Sequence, residues 1–283
     1  MNLAARFLLC NEVVRELEVA AQCALAAGLG YDGLEIAPFT LGPEQHRLPA
    51  ARRAEVRRAA ADAGIRIGAL HWLLLAPEGL SITSADPGVR AATHDAIERL
   101  VGLAADLGAA VLVHGSPKQR EVPADRAGRE DAVARATEAF AWAGERAAAA
   151  GVTYCIEPLS RRETEFVTSV AEAVAIVEAV GQPALRTMID CRAARLSDPE
   201  PIEALIARHV PTGMVRHVHV NDTNGRAPGQ GDDRFAPVLA ALAAAGYVGD
   251  VGVEPFAYEP DGPTTAARAI GYLRGVEEGL AGR

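Results

Sequence analysis

Two kinds of segment alternate along the chain. Short runs of apolar and β-branched residues are each followed by a longer stretch in which apolar residues recur at helical spacing. The short runs predict strands at Arg6–Leu9, Gly33–Ile36, Arg66–His71, Ala109–His114, Thr153–Glu157, Arg186–Asp190, Val215–Asn221 and Asp250–Glu254. The longer stretches predict helices near residues 12–28, 50–63, 88–107, 126–150, 169–180, 199–209, 235–245 and 264–279.

Glycines and small polar residues mark many of the helix ends. A glycine after the last helical residue favours a left-handed C-cap, and this applies to Gly28, Gly64, Gly108, Gly151, Gly181 and Gly246. Ser169 and Asp198 each precede a predicted helix and are expected to act as N-caps. The polar, Arg-rich stretch Lys118–Glu130 is expected to form a long loop.

Strand–helix units that follow one another without a linker predict an α/β fold, a (β/α)8 TIM barrel in which residues 1–283 form a single domain. A doubly wound open sheet is the alternative. That fold favours a glycine-rich phosphate loop after the first strand. Residues 8–14 (LLCNEVV) contain no glycine, which favours the barrel.

Composition and charge narrow the range of partners and compartments. The chain has 283 residues, of which 49% are hydrophobic, and a net charge of −9 argues against nucleic acid as the main partner. No apolar run approaches the roughly 18 residues of a membrane span, and the first residues lack the apolar core of a secretory signal. The four cysteines form no CxxC motif and are expected to be reduced, buried thiols. We therefore expect a cytoplasmic protein.

A polar residue ends nearly every predicted strand. These residues are Glu35, His71, His114, Glu157, Asp190, His219 and Glu254. In a barrel, the carboxyl ends of the strands converge on one mouth. Any single residue of this kind is more often a satisfied structural group, but seven on successive strands predict a shared site. So many buried carboxylates and imidazoles need a compensating cation or substrate.

The last four strands carry a set of groups typical of a divalent metal site. Glu157, Asp190, His219 and Glu254 would supply three oxygens and one nitrogen, which suits Mn²⁺, Mg²⁺ or Co²⁺. His217 lies two residues before His219 and points to the same side of its strand. Only one of the two histidines need bind metal, and the other could orient a ligand or contact substrate.

The two glutamates predict acid–base chemistry. Strands 5 and 8 lie far apart around the ring, so Glu157 and Glu254 could approach a metal-held sugar from opposite faces. A metal that binds a carbonyl and the adjacent hydroxyl acidifies the carbon between them and stabilises an enediolate. One carboxylate then removes a proton and the other returns it. This sequence inverts a stereocentre, or shifts the carbonyl if the proton returns to the neighbouring carbon.

A family resemblance rests on motifs spread over nearly the whole chain. They are EIAPF (35–39), HWLL (71–74), GSPKQR (115–120), IEPLSRRE (156–163), MID (188–190), HVHVNDTNGRAPGQG (217–231) and VEPF (253–256). With them the chain resembles the sugar phosphate isomerase/epimerase family, which has a xylose-isomerase-like barrel. Within that family it is similar to the D-tagatose 3-epimerase and allulose 3-epimerase group.

The resemblance implies roles for particular residues. Glu157, Asp190, His219 and Glu254 match the four metal ligands of the family, and the two glutamates match its acid/base pair. Glu163 matches a glutamate that binds a substrate hydroxyl, and Arg226 matches an arginine that clamps the substrate. The implied cofactor is one divalent ion, with Mn²⁺ expected first. The implied partners are a small-molecule sugar and further copies of the chain in a homodimer or homotetramer.

Two departures from the ketose 3-epimerase pattern keep a second outcome open. Ala193 stands where those enzymes have a histidine, and Asn221-Asp222 stands where they have Gly-Glu. Arg226 also lies one residue later than its counterpart. The alternative is a lyase or dehydratase that uses the same site on a keto-inositol or a 3-keto-glycoside, including cleavage of a C-glycoside.

Further residues near the mouth are weaker candidates for substrate contacts. His71 and Trp72 could line the mouth and stack on a sugar, or wedge between barrel and helices. His114 and Lys118 could reach substrate oxygens, and Glu35 could bind a hydroxyl.

Other functions fit the sequence less well. A metal-dependent endonuclease of the same superfamily needs a basic DNA face, and a retaining glycosidase needs an acid where His114 stands. A non-catalytic sugar-binding or metal-binding protein would not need a pair of general-base glutamates.

Overall fold

Parallel strands close into a barrel whose order around the ring is the order along the chain. The computed structural model describes residues 5–282. Its strands are β1 Arg6–Cys10, β2 Gly33–Ile36, β3 Arg66–Leu70, β4 Val111–His114, β5 Thr153–Ile156, β6 Leu185–Asp190, β7 Val215–Val220 and β8 Asp250–Val253. Each strand pairs in parallel with its two neighbours, and β1 pairs with β8. This confirms the (β/α)8 TIM barrel fold.

Helices connect the strands on the outside of the barrel. They are α1 Val19–Leu29, α2 Ala50–Asp62, α3 Pro87–Leu107, α4 Arg126–Ala150, α5 Val170–Val180, α6 Cys191–Ser197, α7 Ile202–His209, α8 Ala236–Ala244 and α9 Gly262–Ala281. Short 3₁₀ helices lie in the connections after β1, β2 and β4, at Asn11–Val14, Pro38–Leu41, Gln45–Arg47 and Lys118–Arg120. None of the helices within residues 5–282 is long and apolar enough to cross a membrane.

Alternation along each strand separates two apolar regions. Side chains that point outward, such as Phe7, Leu112 and Ile189, join the large core between barrel and helices. Side chains that point inward form a small cluster inside the barrel: Leu8, Ala69, Val111, Val113, Cys155 and Met188. The next inward positions after Ala69, Cys155 and Met188 carry polar groups instead, at His71, Glu157 and Asp190. The apolar cluster is therefore the floor of the polar site.

The strand register sets the level of the polar groups. Asp190 on β6 lies opposite His219 on β7, and His219 lies opposite Gly252 on β8. Adjacent parallel strands lie about 4.8 Å apart, so side chains at one level can reach a common point.

Several element boundaries differ from the prediction. The predicted helix near residues 12–28 is instead a 3₁₀ turn followed by α1, and its left-handed cap is Gly30 rather than Gly28. The expected loop Lys118–Glu130 overruns the start of α4, at Arg126. Local caps set these ends: the Gly30 amide donates to the Ala26 and Ala27 carbonyls at the end of α1, and the Asp125 side chain accepts from the Gly128 amide at the start of α4.

The connection after β6 contains a helix that the sequence analysis missed. Helix α6 begins directly at Cys191, and Asp190 caps it by accepting a hydrogen bond from the Ala193 amide. Asp198 is therefore not the N-cap of the next helix. It ends α6, and its carboxylate accepts a hydrogen bond from the Val170 amide at 3.0 Å. Ser169 does cap α5, as predicted, and the four cysteines are buried and unpaired.

The opposite end of the barrel carries ion pairs rather than a convergent set of acids. Asp250 is buried and pairs with Arg6 at 3.1 Å and with Arg66. Arg6 and Asp250 border a hollow at this end of the barrel. Only one carboxylate lines this hollow, and arginines already compensate it, so we assign this end a structural role.

The packing of α4 on the barrel can be tested with Phe140→Ala. Phe140 is 1% exposed and its ring lies 5.3 Å from the His114 ring. Removing a buried aromatic ring is expected to lower the free energy of unfolding by about 3–5 kcal/mol. Urea denaturation followed by circular dichroism measures this change. Val248→Ala, at a side chain that is 65% exposed, should change the same quantity by less than about 0.5 kcal/mol.

Candidate active site

Four buried side chains meet at the carboxyl end of the barrel. Each of Glu157, Asp190, His219 and Glu254 offers one ligand atom, and these atoms all lie within 4.8 Å of one another. Asp190 is the last residue of β6 and His219 lies inside β7, whereas the two glutamates directly follow β5 and β8. The structure thus brings together the four residues that the sequence singled out.

His219 presents one ring nitrogen to the carboxylates and uses the other in a hydrogen bond. Its Nε2 lies 2.9 Å from an oxygen of Glu35. Its Nδ1 lies 3.0 Å from Glu254 and 3.6 Å from Glu157, yet has no hydrogen-bond partner in the described part of the chain. A ring that donates from Nε2 to Glu35 leaves the Nδ1 lone pair facing the acids.

Glu35 holds two histidines with one carboxylate. Its second oxygen lies 2.8 Å from Nε2 of His217. Burial alone would raise the pKa of Glu35, but the two imidazoles lower it well below its ordinary value. Gly252 makes this arrangement possible, because a Cβ there would lie 2.8 Å from the His219 ring and would also collide with Glu35.

Asn221 and a tight turn fix the direction of Asp190. The Asn221 side chain donates to Asp190 at 2.7 Å and to the Glu254 carbonyl at 3.1 Å. The Ala193 amide donates to the other oxygen of Asp190 at 2.6 Å. Asn221 is itself anchored by the Arg192 amide at 2.9 Å.

Glu157 is positioned by close backbone packing. The guanidinium of Arg120, which is fully buried, donates to the Glu157 carbonyl at 2.8 Å. The Glu157 carboxylate lies against Gly115 in the space that a Cβ at that position would occupy. A residue larger than glycine at position 115 would therefore displace the carboxylate.

The electrostatics of the cluster favour a bound cation. Burial and the charge of Glu157 raise the pKa of Asp190 to about 6, and burial raises that of Glu254 to about 8. Burial alone would lower the pKa of His219, but the Glu254 and Glu35 carboxylates raise it well above its ordinary value. A divalent ion would offset the cost of burying these carboxylates and their mutual repulsion. Three carboxylates and one imidazole nitrogen suit Mn²⁺, Mg²⁺ or Co²⁺, so the residues fit a single hard or borderline metal.

His71 lies between acids on the other side of Glu254. Its Nε2 is 3.0 Å from Glu12 and 3.8 Å from Glu254, and its Nδ1 is 3.6 Å from Glu35. Burial would lower the pKa of His71, but Glu12 and then Glu35 raise it to about 9. A protonated His71 therefore balances part of the negative charge around the site.

A narrow cleft opens from the cluster toward solvent. It is lined by Trp72, Gly115, Pro117, Glu157, Leu159, Glu163, Glu254 and Phe256. Trp72 has a φ of 52°, a left-handed conformation that costs a bulky residue about 1–3 kcal/mol. Both glutamates of the cluster face this one cleft, so a small molecule in it would contact both.

Comparison with known proteins places the chain in a family. A sequence profile described as Xylose isomerase-like TIM barrel matches residues 23–276. The chain belongs to this family. That result confirms the resemblance seen in the sequence motifs.

Named relatives lie within the same barrel family. An L-ribulose 3-epimerase of Mesorhizobium japonicum is 31% identical over 182 residues, which cover 63% of this chain and 59% of that protein. A D-psicose 3-epimerase of Agrobacterium fabrum is 29% identical over 238 residues, which cover 81% of this chain and 76% of that protein. A solved L-ribulose 3-epimerase structure has a TM-score of 0.81 at 22% identity and covers 98% of this chain and 96% of that one. This last likeness shows the fold.

The other residues predicted to contact substrate lie at different depths in the barrel of this family member. Trp72 and Glu163 line the cleft. Glu35 and His217 are fully buried beneath the cluster. Both oxygens of Glu35 face histidines, so the structure does not offer it to a sugar hydroxyl.

Three candidates are not among the residues that line the cleft. His114 points outward and lies 2.7 Å from the Tyr154 hydroxyl, because it shares the outward side of β4 with Leu112. Burial lowers the pKa of His114 to about 3. Lys118 is exposed, and Arg226 contacts Glu259 at the surface. The outward, buried position of His114 corrects the expectation that it contacts substrate, whereas the substrate contacts of Lys118 and Arg226 stay predictions.

Sequence reasoning missed three residues that shape the site. Asn221 counted only as a departure from the ketose 3-epimerase motif, although it orients Asp190. Glu12 follows the first strand and, like the residues that end the other strands, lies in the polar layer. Its position at a strand end was the available signal. Arg120 carries no such signal, since nothing local distinguishes a buried arginine from the exposed Lys118 nearby.

The role of Glu35 can be tested with Glu35→Leu and Glu35→Gln. Leucine removes the acceptor for the His219 N–H, so the ring loses its fixed orientation, and we expect Mn²⁺ affinity to fall about 10–100-fold. Glutamine keeps a carbonyl that can accept this hydrogen bond, so it should retain most of the affinity. Isothermal titration with Mn²⁺ measures both. Equal losses in the two variants would contradict the hydrogen-bond role and indicate that only the charge matters.

Proposed function

We propose that this protein is a divalent-metal-dependent sugar epimerase that acts on a keto sugar through a cis-enediolate. The observation that carries the proposal is the pair Glu157 and Glu254, which face one cleft and share one cluster with Asp190 and His219. Mn²⁺ is the proposed ion, with Mg²⁺ and Co²⁺ as alternatives that the same donor atoms accept.

The relatives support this class of reaction. Two of the proteins matched by sequence are named as 3-epimerases of L-ribulose and D-psicose, and the match spans 59% of the first and 76% of the second. An isomerase-class activity on a small sugar is therefore the simplest reading of the site. The particular sugar depends on side chains outside the metal cluster.

The two glutamates divide the proton transfer between them. When bound, a divalent cation draws electron density from a ketone and its adjacent hydroxyl, which acidifies the intervening carbon and stabilises the enediolate. The carboxylate on one face removes the proton from that carbon. The glutamate on the other face, in its protonated carboxylic acid form, delivers its proton to the same carbon, which inverts it and leaves that glutamate as the carboxylate. Because the pair is symmetric in chemistry, Glu157 and Glu254 exchange roles in the reverse reaction.

Residues of the cleft wall hold the sugar. Glu163 is partly exposed there and lies 3.6 Å from Arg192, so its carboxylate can accept a hydrogen bond from a sugar hydroxyl. Trp72 offers an indole ring against which the apolar face of a sugar can stack. The floor of Leu8, Cys155 and Met188 keeps water out from below.

Glu157→Gln tests the acid–base role. The amide can still offer its carbonyl oxygen to a metal but cannot accept or return a proton. We expect turnover to fall by about 10²–10⁴-fold while Mn²⁺ binding, measured by isothermal titration, persists. Glu165→Gln is the matched control: Glu165 lies on the same connection but is 76% exposed. Retained turnover in Glu157→Gln would remove Glu157 from the proposed role.

The outcome of the reaction can be read in D₂O. With Mn²⁺ and a panel of ketoses, keto-inositols and 3-keto-glycosides, we expect solvent deuterium to enter one carbon of the substrate that turns over. No fragment should leave, because the proton is returned to the sugar. NMR follows both events. Release of water or of an aglycone would contradict the epimerase and indicate the lyase or dehydratase alternative.

A further inference from the structure

A second hollow adjoins the catalytic cleft. It is formed by the connections after β8, β1, β2 and β3. Its lining is Glu12, Arg15, Phe39, Trp72, Leu75, Phe256 and Tyr258. Trp72 and Phe256 also line the catalytic cleft, so the two spaces share a wall.

The lining of this hollow is unusually aromatic for this chain. Aromatic residues make up only 5% of the sequence, yet four of them, Phe39, Trp72, Phe256 and Tyr258, gather around this one space. In the described part of the chain the exposed large hydrophobic side chains are Leu75, Phe256 and Val248, at 38%, 43% and 65% exposure. Two of these three border the hollow, and exposed apolar side chains that cluster in this way mark a binding surface.

The polar groups of the hollow are poorly suited to a second sugar ring. Glu12 is buried and already lies 3.0 Å from His71. Arg15 stands at the rim, with its side chain 58% exposed and 3.6 Å from Glu16. A guanidinium at the edge of an aromatic pocket can stack on an aromatic ligand, whereas a sugar needs several convergent donors and acceptors.

We infer that this hollow is a subsite for an apolar, preferably aromatic, substituent attached to the keto sugar. The inference rests on the proposed function, since it assumes that the sugar ring occupies the neighbouring cleft. The reacting ring lies in the cleft, and the substituent passes Trp72 and Phe256 into the hollow. The natural substrate is then a keto-glycoside or a substituted ketose rather than a small free ketose.

Continuity with the cleft identifies the occupant as part of the substrate. Trp72 and Phe256 belong to both spaces, so a protein surface seated on the hollow would also obstruct the opening to Glu157 and Glu254. A substituent on the substrate fills the hollow without this conflict. The left-handed backbone of Trp72 holds its ring at the boundary, where it can contact both parts of one ligand.

The test compares matched pairs of substrates that differ only in the substituent. The pairs are methyl and benzyl ethers of D-psicose at O1 and at O6, and methyl and phenyl 3-keto-β-D-glucosides. Proton exchange in D₂O with Mn²⁺ gives kcat/KM for each compound. We expect the aromatic member of at least one pair to exceed its methyl partner by tenfold or more, as burial of an apolar group in a fitted pocket allows.

Leu75→Ser tests the hollow separately from the cleft, because Leu75 lines the hollow but not the cleft. We expect this variant to lower kcat/KM for the aromatic member about 3–10-fold and to leave its methyl partner unchanged. Val248→Ser, an equally simple change at the opposite end of the barrel, should alter neither. A fall of both members together in Leu75→Ser would overturn the subsite.

The remaining outcomes separate the subsite from the proposed function. If methyl compounds or free ketoses exchange and no aromatic partner is preferred, the subsite is wrong while the epimerase stands. If no compound exchanges with Mn²⁺ present, the proposed function fails first. Sedimentation velocity of Leu75→Ser adds one check: loss of an oligomer that the parent protein forms would assign the hollow to a second copy of this chain and overturn the subsite.

Discussion

The compensation of buried negative charge is the constraint on which the upper half of this barrel depends. Glu157, Asp190 and Glu254 converge from three strand ends with little access to water. Carboxylates so placed are tolerated only where positive charge or hydrogen-bond donors meet them. The protein supplies donors from Asn221 and the Ala193 amide to Asp190, and the negative charge that remains at the centre suits a cation. The site is thus organised for a cation before any sugar enters.

A second layer of contacts makes this arrangement specific. Glu35 ties His217 and His219 together, and His71 stands between Glu12 and Glu254. Carboxylate and imidazole alternate through the barrel interior, so each buried charge has an opposite neighbour. Metal sites commonly rely on such outer contacts to fix the tautomer and direction of their ligands. This layer explains why Glu35, although it lies close to the four-residue cluster, is unsuited to binding substrate.

Much of this could be predicted from the sequence because barrel topology is simple. Repeated strand–helix units fixed the fold, and the polar residues at strand ends identified Glu157, Asp190, His219 and Glu254 before their distances were known. Their proximity is confirmed, while their roles as ligands and bases stay predictions. Whether a side chain at a strand end faces the barrel interior or the surrounding helices was harder to predict. His114 ends its strand as the others do, but the hydrophobic neighbours on both sides of β4 give no indication that it faces outward against Phe140. Asn221 and Arg120 were missed because their roles arise from contacts between distant connections.

Asn221 has a mechanical consequence. Its single carboxamide grips the Asp190 side chain and the Glu254 main chain at once, so it joins the tips of β6 and β8 across β7. A shift of the β8 connection, which also carries Phe256, would be transmitted to the carboxylate of Asp190. Phe256 in the cleft wall and the carboxylate of Asp190 would therefore move together.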